Sequence, residues 1–287
     1  MNKKCHAAVL FISGQSNAHA HGQLLDEKDR ITVPMTNVFS LDREYNQRLY
    51  IQDVVWSGYT TEGKNLGETQ DHTACFAFFF AKRWQNAINE GMELPDLYIV
   101  QLSIGSQGII NGMWNPDKAP VLNPGVHGIV DISLYSFARH INGLVMKNLN
   151  RRYEAVDVIG WHWFGSEQEV WNEVYKNGDF SQRYDFFFDN MLSSIGVSCP
   201  VYFYKIYLES FCKDHGLPLD ASEYINRELL RQSKRISNSY FVKAEECPYW
   251  NEEDPTRGIF STDYAHYLPH TQEWFAEKFW MHYIRCN

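Results

Sequence analysis

The sequence lacks any apolar run approaching the roughly 20 residues that a membrane-spanning helix requires. The first apolar stretch, from Ala7 to Ile12, is too short even for a signal peptide, although the charged residues of Met1 to Lys4 resemble the start of one. We therefore expect a soluble protein without a membrane partner. The chain as given looks cytoplasmic, and it would be secreted or periplasmic if a leader preceded it.

Basic residues are in short supply. The chain has 26 Lys and Arg residues against 35 Asp and Glu residues, which gives a formal net charge of −9. Proteins that bind nucleic acid neutralise its phosphates with clustered Lys and Arg side chains. Here these residues are scattered, and the pair Arg151-Arg152 is too short to form a basic tract. The charge pattern therefore argues against nucleic acid as a partner.

Cysteine pairs with metal-binding or redox spacing are also missing. The six cysteines, at positions 5, 75, 199, 212, 247 and 286, include no Cys-x-x-Cys motif. In a chain of this length, such cysteines are best interpreted as free or core thiols, so no structural zinc is predicted. Internal repeats, low-complexity tracts and linkers are absent too, and we interpret residues 1–287 as a single domain.

Continuous apolar runs alternate with amphipathic stretches, which is typical of buried parallel strands joined by crossover helices. The predicted strands are Ala7 to Ser13, Asn37 to Leu41, Leu97 to Ile104, Val156 to Trp163, Val201 to Tyr207 and Tyr240 to Ala244. The predicted helices are Thr73 to Asn89, Ile132 to Asn148, Tyr184 to Ile195, Ser222 to Ser237 and Thr271 to Ile284. This order predicts an open α/β sheet, with long functional or covering segments at residues 42–71 and 111–130.

Several polar residues follow these strands directly. Ser16 comes after the first strand and a glycine that permits a tight turn, and Gly105 comes after the third. Residues 161–169 and the pair Asp263 and His266 also follow predicted strands. Because ligands bind beyond the carboxyl ends of the strands in such sheets, we expect these residues to share one edge.

The residue types at this edge fit acyl transfer. A serine hydroxyl needs a base to take its proton, and an imidazole with an ordinary pKa of ~6.5 does so at neutral pH. His266 fits the base, and Asp263, three residues earlier, would accept the other ring N–H and fix the tautomer. The backbone N–H groups of Ser16 and Gly105 are candidate donors to the oxyanion.

The chain resembles the SGNH hydrolases, specifically the carbohydrate-esterase branch that includes sialate O-acetylesterases and acetylxylan esterases. The resemblance rests on Gly14-Gln15-Ser16-Asn17, on Ile104-Gly105-Ser106-Gln107 with the later Trp114, and on Asp263-Tyr264-Ala265-His266. It implies a three-layer flavodoxin-like fold whose mostly parallel central sheet has about five strands. It further implies a serine esterase that removes acyl groups, commonly acetyl, from sugar hydroxyls without a metal or organic cofactor.

By the resemblance, Ser16 is the nucleophile, His266 the base, Asp263 its orienting residue, and Gly105 an oxyanion donor. Side chains expected to line the site are those of Gln15, Asn17, Ser106, Gln107 and Glu167. The expected substrate is an acylated carbohydrate or a related small ester, and the sequence gives no oligomeric state.

One block departs from the family pattern. Where the family shows Trp-x-Gln-Gly-Glu, with the glutamine amide as a further oxyanion donor, this chain reads Trp163-Phe164-Gly165-Ser166-Glu167. Loss of such a donor costs about 10²- to 10³-fold in rate. Either Ser166, Gln168 or Gln107 supplies the missing donor, or the protein is a slow esterase.

Two other functions compete with the esterase. His19 and His21 form a His-x-His motif after the first strand, which would suit a metal-dependent hydrolase. A catalytically weak carbohydrate-binding protein on the same fold is the second. Tryptophans near strand ends or in loops would suit stacking on a sugar ring, and packing in the core suits each of them equally, namely Trp56, Trp114, Trp161, Trp163, Trp171 and Trp250.

Overall fold

The computed structural model describes residues 4–47, 51–117, 133–253 and 258–286, and seven strands within them form one sheet. The strands are β1 (Lys4–Gly14), β2 (Val38–Leu41), β3 (Trp56–Gly58), β4 (Asp96–Ser103), β5 (Tyr153–Phe164), β6 (Val201–Tyr204) and β7 (Ser239–Val242). Their order across the sheet is β3-β2-β4-β1-β5-β6-β7. All neighbours are parallel except β2 and β3, which are antiparallel.

Nine α-helices accompany these strands in the described residues. They are α1 (Ser16–His19), α2 (Arg43–Asn46), α3 (Phe76–Asn89), α4 (Leu134–Arg152), α5 (Glu167–Trp171), α6 (Phe180–Ile195), α7 (Glu209–Asp214), α8 (Ala221–Arg235) and α9 (Pro269–Cys286). Short 3₁₀ helices lie at Glu27–Asp29, Val174–Lys176 and Ala244–Glu246. Among these described helices, none is both long and apolar enough to span a membrane.

Both faces of the sheet are buried, which explains why β1 reads as a continuous apolar run. Alternate side chains of β1 enter two separate cores, with Val9 in one and Leu10 in the other. The first core also contains residues of α4, α6 and α8, and the second contains residues of α3 and α9. The result is a three-layer α/β fold, which confirms the predicted fold class.

The sheet has seven strands rather than about five. Each of the six strands predicted from apolar runs is present, with ends that differ by up to three residues. The unpredicted strand, β3, has only three residues, Trp56–Gly58, and pairs along one side with β2. Three half-buried residues on a sheet edge are too few to produce a recognisable alternation.

Local hydrogen bonds explain where one strand ends and one helix begins. The strand expected to run to Tyr207 ends at Tyr204, because the backbone of Ile206 instead exchanges two hydrogen bonds with the Asn226 side chain, of 2.9 and 2.8 Å. The predicted helix start at Ile132 lies outside the described residues. Within them α4 begins after Ser133, whose hydroxyl oxygen accepts the Ser136 N–H at 3.1 Å.

The sheet order places β1 between β4 and β5, and the three strands end side by side. Gly14 at the end of β1 pairs with Ser103 of β4 and with Phe164 of β5. The chain segments that follow these strands therefore meet beyond the carboxyl ends of the central strands. We refer to this side of the sheet as the carboxyl edge. This is the position where the strand connections leave in opposite directions, and where open α/β sheets bind their ligands.

Gly14 allows β1 to approach β5 closely at this edge. Its φ is +146°, and the next backbone N–H, that of Gln15, donates to the Phe164 carbonyl at 2.7 Å. A Cβ on residue 14 would lie 1.9 Å from that carbonyl oxygen. Backbone atoms cannot yield as the end of a flexible side chain can, so only glycine fits.

A buried carboxyl group holds the loop that follows β4. Glu169 of α5 is 1% exposed, and its Oε1 accepts the N–H groups of Ile109 and Ile110 at 2.5 and 3.2 Å. A Cβ on Gly108 would lie 2.3 Å from the same oxygen. Burial raises the pKa of Glu169 to about 7, although the two N–H groups act to lower it.

We predict that Gly14→Ala lowers the free energy of unfolding by at least about 3 kcal/mol, because the new methyl group would overlap the backbone of Phe164. Gly143→Ala is the matched control, since Gly143 lies within α4 and nothing approaches its Cβ position within 4 Å. The control should gain about 0.5–1 kcal/mol from helix propensity. Urea denaturation of both variants tests this, and equal stabilities would contradict it.

We predict that Glu169→Gln removes a pH dependence of stability. An acid whose pKa is raised by folding stabilises the protein below its unfolded pKa, and that contribution is lost as pH rises through the folded value. A rise from 4.5 to about 7 sets an upper limit of about 3 kcal/mol. The variant should match the wild type near pH 5 and exceed it near pH 8 in urea denaturation.

Glu154→Gln, which changes an exposed carboxylate, is the matched control and should follow the wild-type profile. Parallel pH profiles for wild type and Glu169→Gln would show that Glu169 is not responsible.

Candidate active site

Ser16 is the first residue of α1, a single helical turn directly after β1. The turn ends at Ala20, whose left-handed backbone (φ 52°) redirects the chain, and the N–H of His21 donates to the Ser16 carbonyl at 3.0 Å. Ser16 is half-buried and adjoins Gly105, since a Cβ on residue 105 would lie 3.7 Å from Ser16 Cβ. The residues that follow β1 and β4 therefore meet at the expected edge.

Asp263 and His266 form a hydrogen-bonded pair. The Nδ1 of His266 lies 2.5 Å from Asp263 Oδ2, and the other carboxylate oxygen accepts the Ser261 hydroxyl at 2.5 Å and the N–H groups of Ala265 and His266 at 3.0 Å. Partial burial acts to raise the pKa of Asp263, but these hydrogen bonds outweigh it and lower the pKa well below its usual range. An ionised Asp263 holds the proton on Nδ1, which leaves Nε2 as the proton acceptor.

Asn17 connects this pair to the end of β1. Its Nδ2 donates to the carbonyl of Ala265 at 3.0 Å and to Glu167 Oε1 at 2.9 Å, and its Oδ1 accepts the N–H of Tyr267 at 3.0 Å. The two residues that flank His266 are thereby fixed by the residue that follows Ser16. Among the described contacts no hydrogen bond joins the Ser16 hydroxyl to His266, and in sites without substrate such bonds are often long.

Gln15 joins the loops that follow β4 and β5. Its Nε2 donates to the Gln107 carbonyl at 2.6 Å, and its Oε1 accepts the N–H of Gln168 at 3.3 Å. Ser106, beside Gln107, is exposed in a left-handed turn with φ 57°. The expected site residues Gln15 and Gln107 are thus joined directly, and Ser106 lies at the rim.

The N–H of Gly105, predicted to bind the oxyanion, donates to Glu68 Oε2 at 2.9 Å. Contact with His19 and this N–H lower the pKa of Glu68 to about 2, although burial opposes the change, so the carboxylate is ionised. The predicted donor is therefore occupied, and a negative charge lies where an oxyanion would develop. The sequence does not identify Glu68 as a site residue, because the segment 42–71 that contains it has no periodic pattern and no recognisable motif.

The three candidates for the missing amide donor differ in position. Ser166 is fully buried with φ 95°, and its hydroxyl oxygen accepts the indole N–H of Trp163 at 3.2 Å. It is therefore directed away from the site. Gln107 and Gln168 are half-buried, and Gln107 uses its Oε1 to accept the N–H of Met113 at 3.0 Å. These two amides are the remaining candidates.

Glu167 follows β5 and lies against Asn17. Its Oε1 accepts the Asn17 amide, while its Oε2 is buried without a hydrogen-bond partner. Burial raises the pKa of Glu167, although the hydrogen bond from Asn17 acts to lower it. The side chain thus supports Asn17 and is not a solvated surface acid.

His19 and His21 both approach Glu68. The Nε2 of His19 lies 3.1 Å from Glu68 Oε2, and the Nδ1 of His21 lies 3.0 Å from Glu68 Oε1. The ring of His21 is also 5.6 Å from that of His266, measured between centroids. The two histidines therefore lie beside the candidate base.

Half of the tryptophans proposed for sugar stacking are unsuitable. Trp114, Trp161 and Trp163 are fully buried. The indole N–H of Trp114 donates to the Gly14 carbonyl at 3.0 Å, and that of Trp161 donates to the Ser13 hydroxyl at 3.1 Å. All three tryptophans therefore pack in the core, which is the second of the two roles expected for them, and are not available for sugar stacking. Trp171, at 45% exposed, keeps a surface available.

Comparisons with known proteins identify the fold alone. No protein-family model matches the chain, and no curated protein matches it in sequence. The crystal structure of NanS matches with a TM-score of 0.64 and 15% identity, over 99% of this chain and 100% of that one. The X-ray structure of a protein from Arabidopsis thaliana matches with a TM-score of 0.59 and 14% identity, over 97% and 98% of the two chains.

Proposed function

We propose that this protein is a serine esterase that hydrolyses O-acyl esters, commonly O-acetyl, on a carbohydrate or a related small molecule. The observation that carries the proposal is the Asp263–His266 pair, which Asn17 connects to Ser16 at the end of the central strand. Acyl transfer by a serine requires a neighbouring base, and a histidine that is oriented by a carboxylate can serve as that base.

In the proposed reaction, Ser16 Oγ attacks the ester carbonyl carbon while His266 Nε2 accepts the hydroxyl proton. The resulting imidazolium is stabilised by Asp263 and then donates that proton to the leaving sugar oxygen, as the bond between the carbonyl carbon and that oxygen breaks. Water attacks the acyl-serine with His266 again as base, which releases the carboxylic acid and restores Ser16.

Stabilisation of the oxyanion is the weaker part of this mechanism. The Ser16 N–H is one donor. The second is either the Gly105 N–H, if the substrate oxygen displaces Glu68, or an amide of Gln107 or Gln168. Since one such donor is worth about 10²- to 10³-fold in rate, we expect turnover to be slow for an esterase.

The carbohydrate substrate class rests on the SGNH resemblance, and the shared fold with NanS is consistent with it. A catalytically weak carbohydrate-binding protein is the second candidate. The carboxylate of Glu68 at the Gly105 N–H favours it, because an anion there opposes formation of an oxyanion.

We predict that Ser16→Ala lowers kcat for p-nitrophenyl acetate by about 10³-fold or more, because the nucleophile is lost. Ser237→Ala is the matched control, since Ser237 is exposed just before β7. It therefore lies at the amino ends of the strands, whereas Ser16 lies at their carboxyl ends. Its kcat should equal that of the wild type. Binding of acetylated sugars without any wild-type turnover would instead support the carbohydrate-binding function.

We predict that Asp263→Asn lowers kcat by about 10²- to 10⁴-fold with a smaller change in KM. Asparagine keeps an oxygen for the N–H groups of Ala265 and His266 but presents an amide N–H to His266 Nδ1, which favours the wrong tautomer. Asp214→Asn, an exposed aspartate at the end of α7, is the control. A kcat unchanged in Asp263→Asn would remove Asp263 from the mechanism.

A further inference from the structure

Three side chains beside the candidate active site direct potential metal ligands at one point. The ligand atoms of His19, His21 and Glu68 all lie within 4.8 Å of one another. The His19 side chain is 1% exposed, that of Glu68 16% and that of His21 47%, so the cluster runs from the interior to the surface. An ion held there would be reachable from solvent on the His21 side.

Hydrogen bonds fix the orientation of the amide behind His19. The Nδ2 of Asn65 donates to the carbonyls of Ser103 and Glu68 at 3.0 and 3.2 Å. Its Oδ1 therefore accepts the N–H of Ser103 at 2.9 Å and the Ser103 hydroxyl at 3.3 Å. The Ser103 hydroxyl oxygen also lies 2.8 Å from His19 Nδ1, and either of these two atoms can be the hydrogen-bond donor.

The other ring nitrogen of His19 faces Glu68. This Nε2 is buried and has no hydrogen-bond partner, yet it lies 3.1 Å from Glu68 Oε2. A ring nitrogen and a carboxylate oxygen this close share either a proton or a metal ion.

The distances suit a metal ion. Zinc binds imidazole nitrogen and carboxylate oxygen at about 2.0–2.2 Å in tetrahedral geometry, which places neighbouring ligand atoms about 3.3 Å apart. His19 Nε2 lies 3.1 Å from Glu68 Oε2, and His21 Nδ1 lies 3.0 Å from Glu68 Oε1, so the two imidazoles approach different oxygens of one carboxylate. The ligands also have the supporting hydrogen bonds typical of metal sites, from His19 Nδ1 to Ser103 and from Gly105 to Glu68.

We propose that His19 Nε2, His21 Nδ1 and the Glu68 carboxylate bind one divalent transition-metal ion of the zinc class, with a further position open to solvent. Binding of the ion does not depend on the proposed function, although Glu68 also accepts the N–H of Gly105 beside Ser16. A bound ion would offset the charge of Glu68 at the Gly105 N–H, and so would change the electrostatics beside Ser16.

The test is calorimetric titration of Zn²⁺ into chelator-treated protein at neutral pH. We expect one ion per chain, and a Zn²⁺-dependent rise in melting temperature. His21→Ala should weaken binding by more than the roughly 10- to 100-fold that loss of a supporting partner costs. Because His21 is half-exposed, this variant should fold, and its melting temperature without Zn²⁺ provides the check.

His6→Ala is the matched control, because His6 pairs with Asp157 at 2.5 Å on the surface and, within the described part of the chain, belongs to no group of three potential ligands. It should bind Zn²⁺ as the wild type does, whereas Glu68→Gln should bind weakly, as His21→Ala does. Equal binding by wild type and His21→Ala, or no stoichiometric binding at all, would overturn the proposal and leave a proton as the cation.

Discussion

The side-chain amide of Asn17 joins residues from opposite ends of the chain at the edge of the sheet. It binds the backbone on both sides of His266 and the carboxylate of Glu167, while its own position is set by β1 between β4 and β5. The Asp263–His266 turn lies in a largely exposed segment, so its placement depends on such contacts more than on burial. A rigid central strand followed by one amide therefore brings residues 250 positions apart into one site.

The strands and helices could be predicted from sequence where their burial produces a recognisable pattern of apolar residues. The core strands have two buried faces and read as apolar runs, and α3, α4, α6, α8 and α9 each bury one face. β3 escaped prediction because it is short and half-buried. Glu68 escaped because its contacts with His19, His21 and Gly105 come from chain folding and leave no spacing in the sequence. For the buried tryptophans the sequence left stacking and packing open, because proximity to a strand end does not reveal which way a ring points.

An ionised carboxylate has a different effect on each side of the candidate site. On the side of His266, hydrogen bonds keep Asp263 ionised, so its carboxylate would stabilise the imidazolium that forms when His266 Nε2 accepts a proton. On the side of Gly105, an ionised Glu68 occupies the N–H that an oxyanion would need. The proposed attack by Ser16 therefore has a base available, whereas stabilisation of the product of that attack depends on how the charge of Glu68 is balanced. The proposed metal ion and the proposed slow esterase both follow from that one carboxylate.

The central claim is that Ser16 is the nucleophile, and the most direct measurement is a crystal structure of the protein after reaction with a p-nitrophenyl phosphonate. We predict phosphorus bonded to Ser16 Oγ, an intact Asp263–His266 pair, and the phosphonyl oxygen within hydrogen-bond distance of the Ser16 N–H and one further donor. The adduct structure would show whether this second donor is Gly105, Gln107 or Gln168. A phosphonyl group on another residue, or no adduct in protein that still hydrolyses esters, would contradict the account.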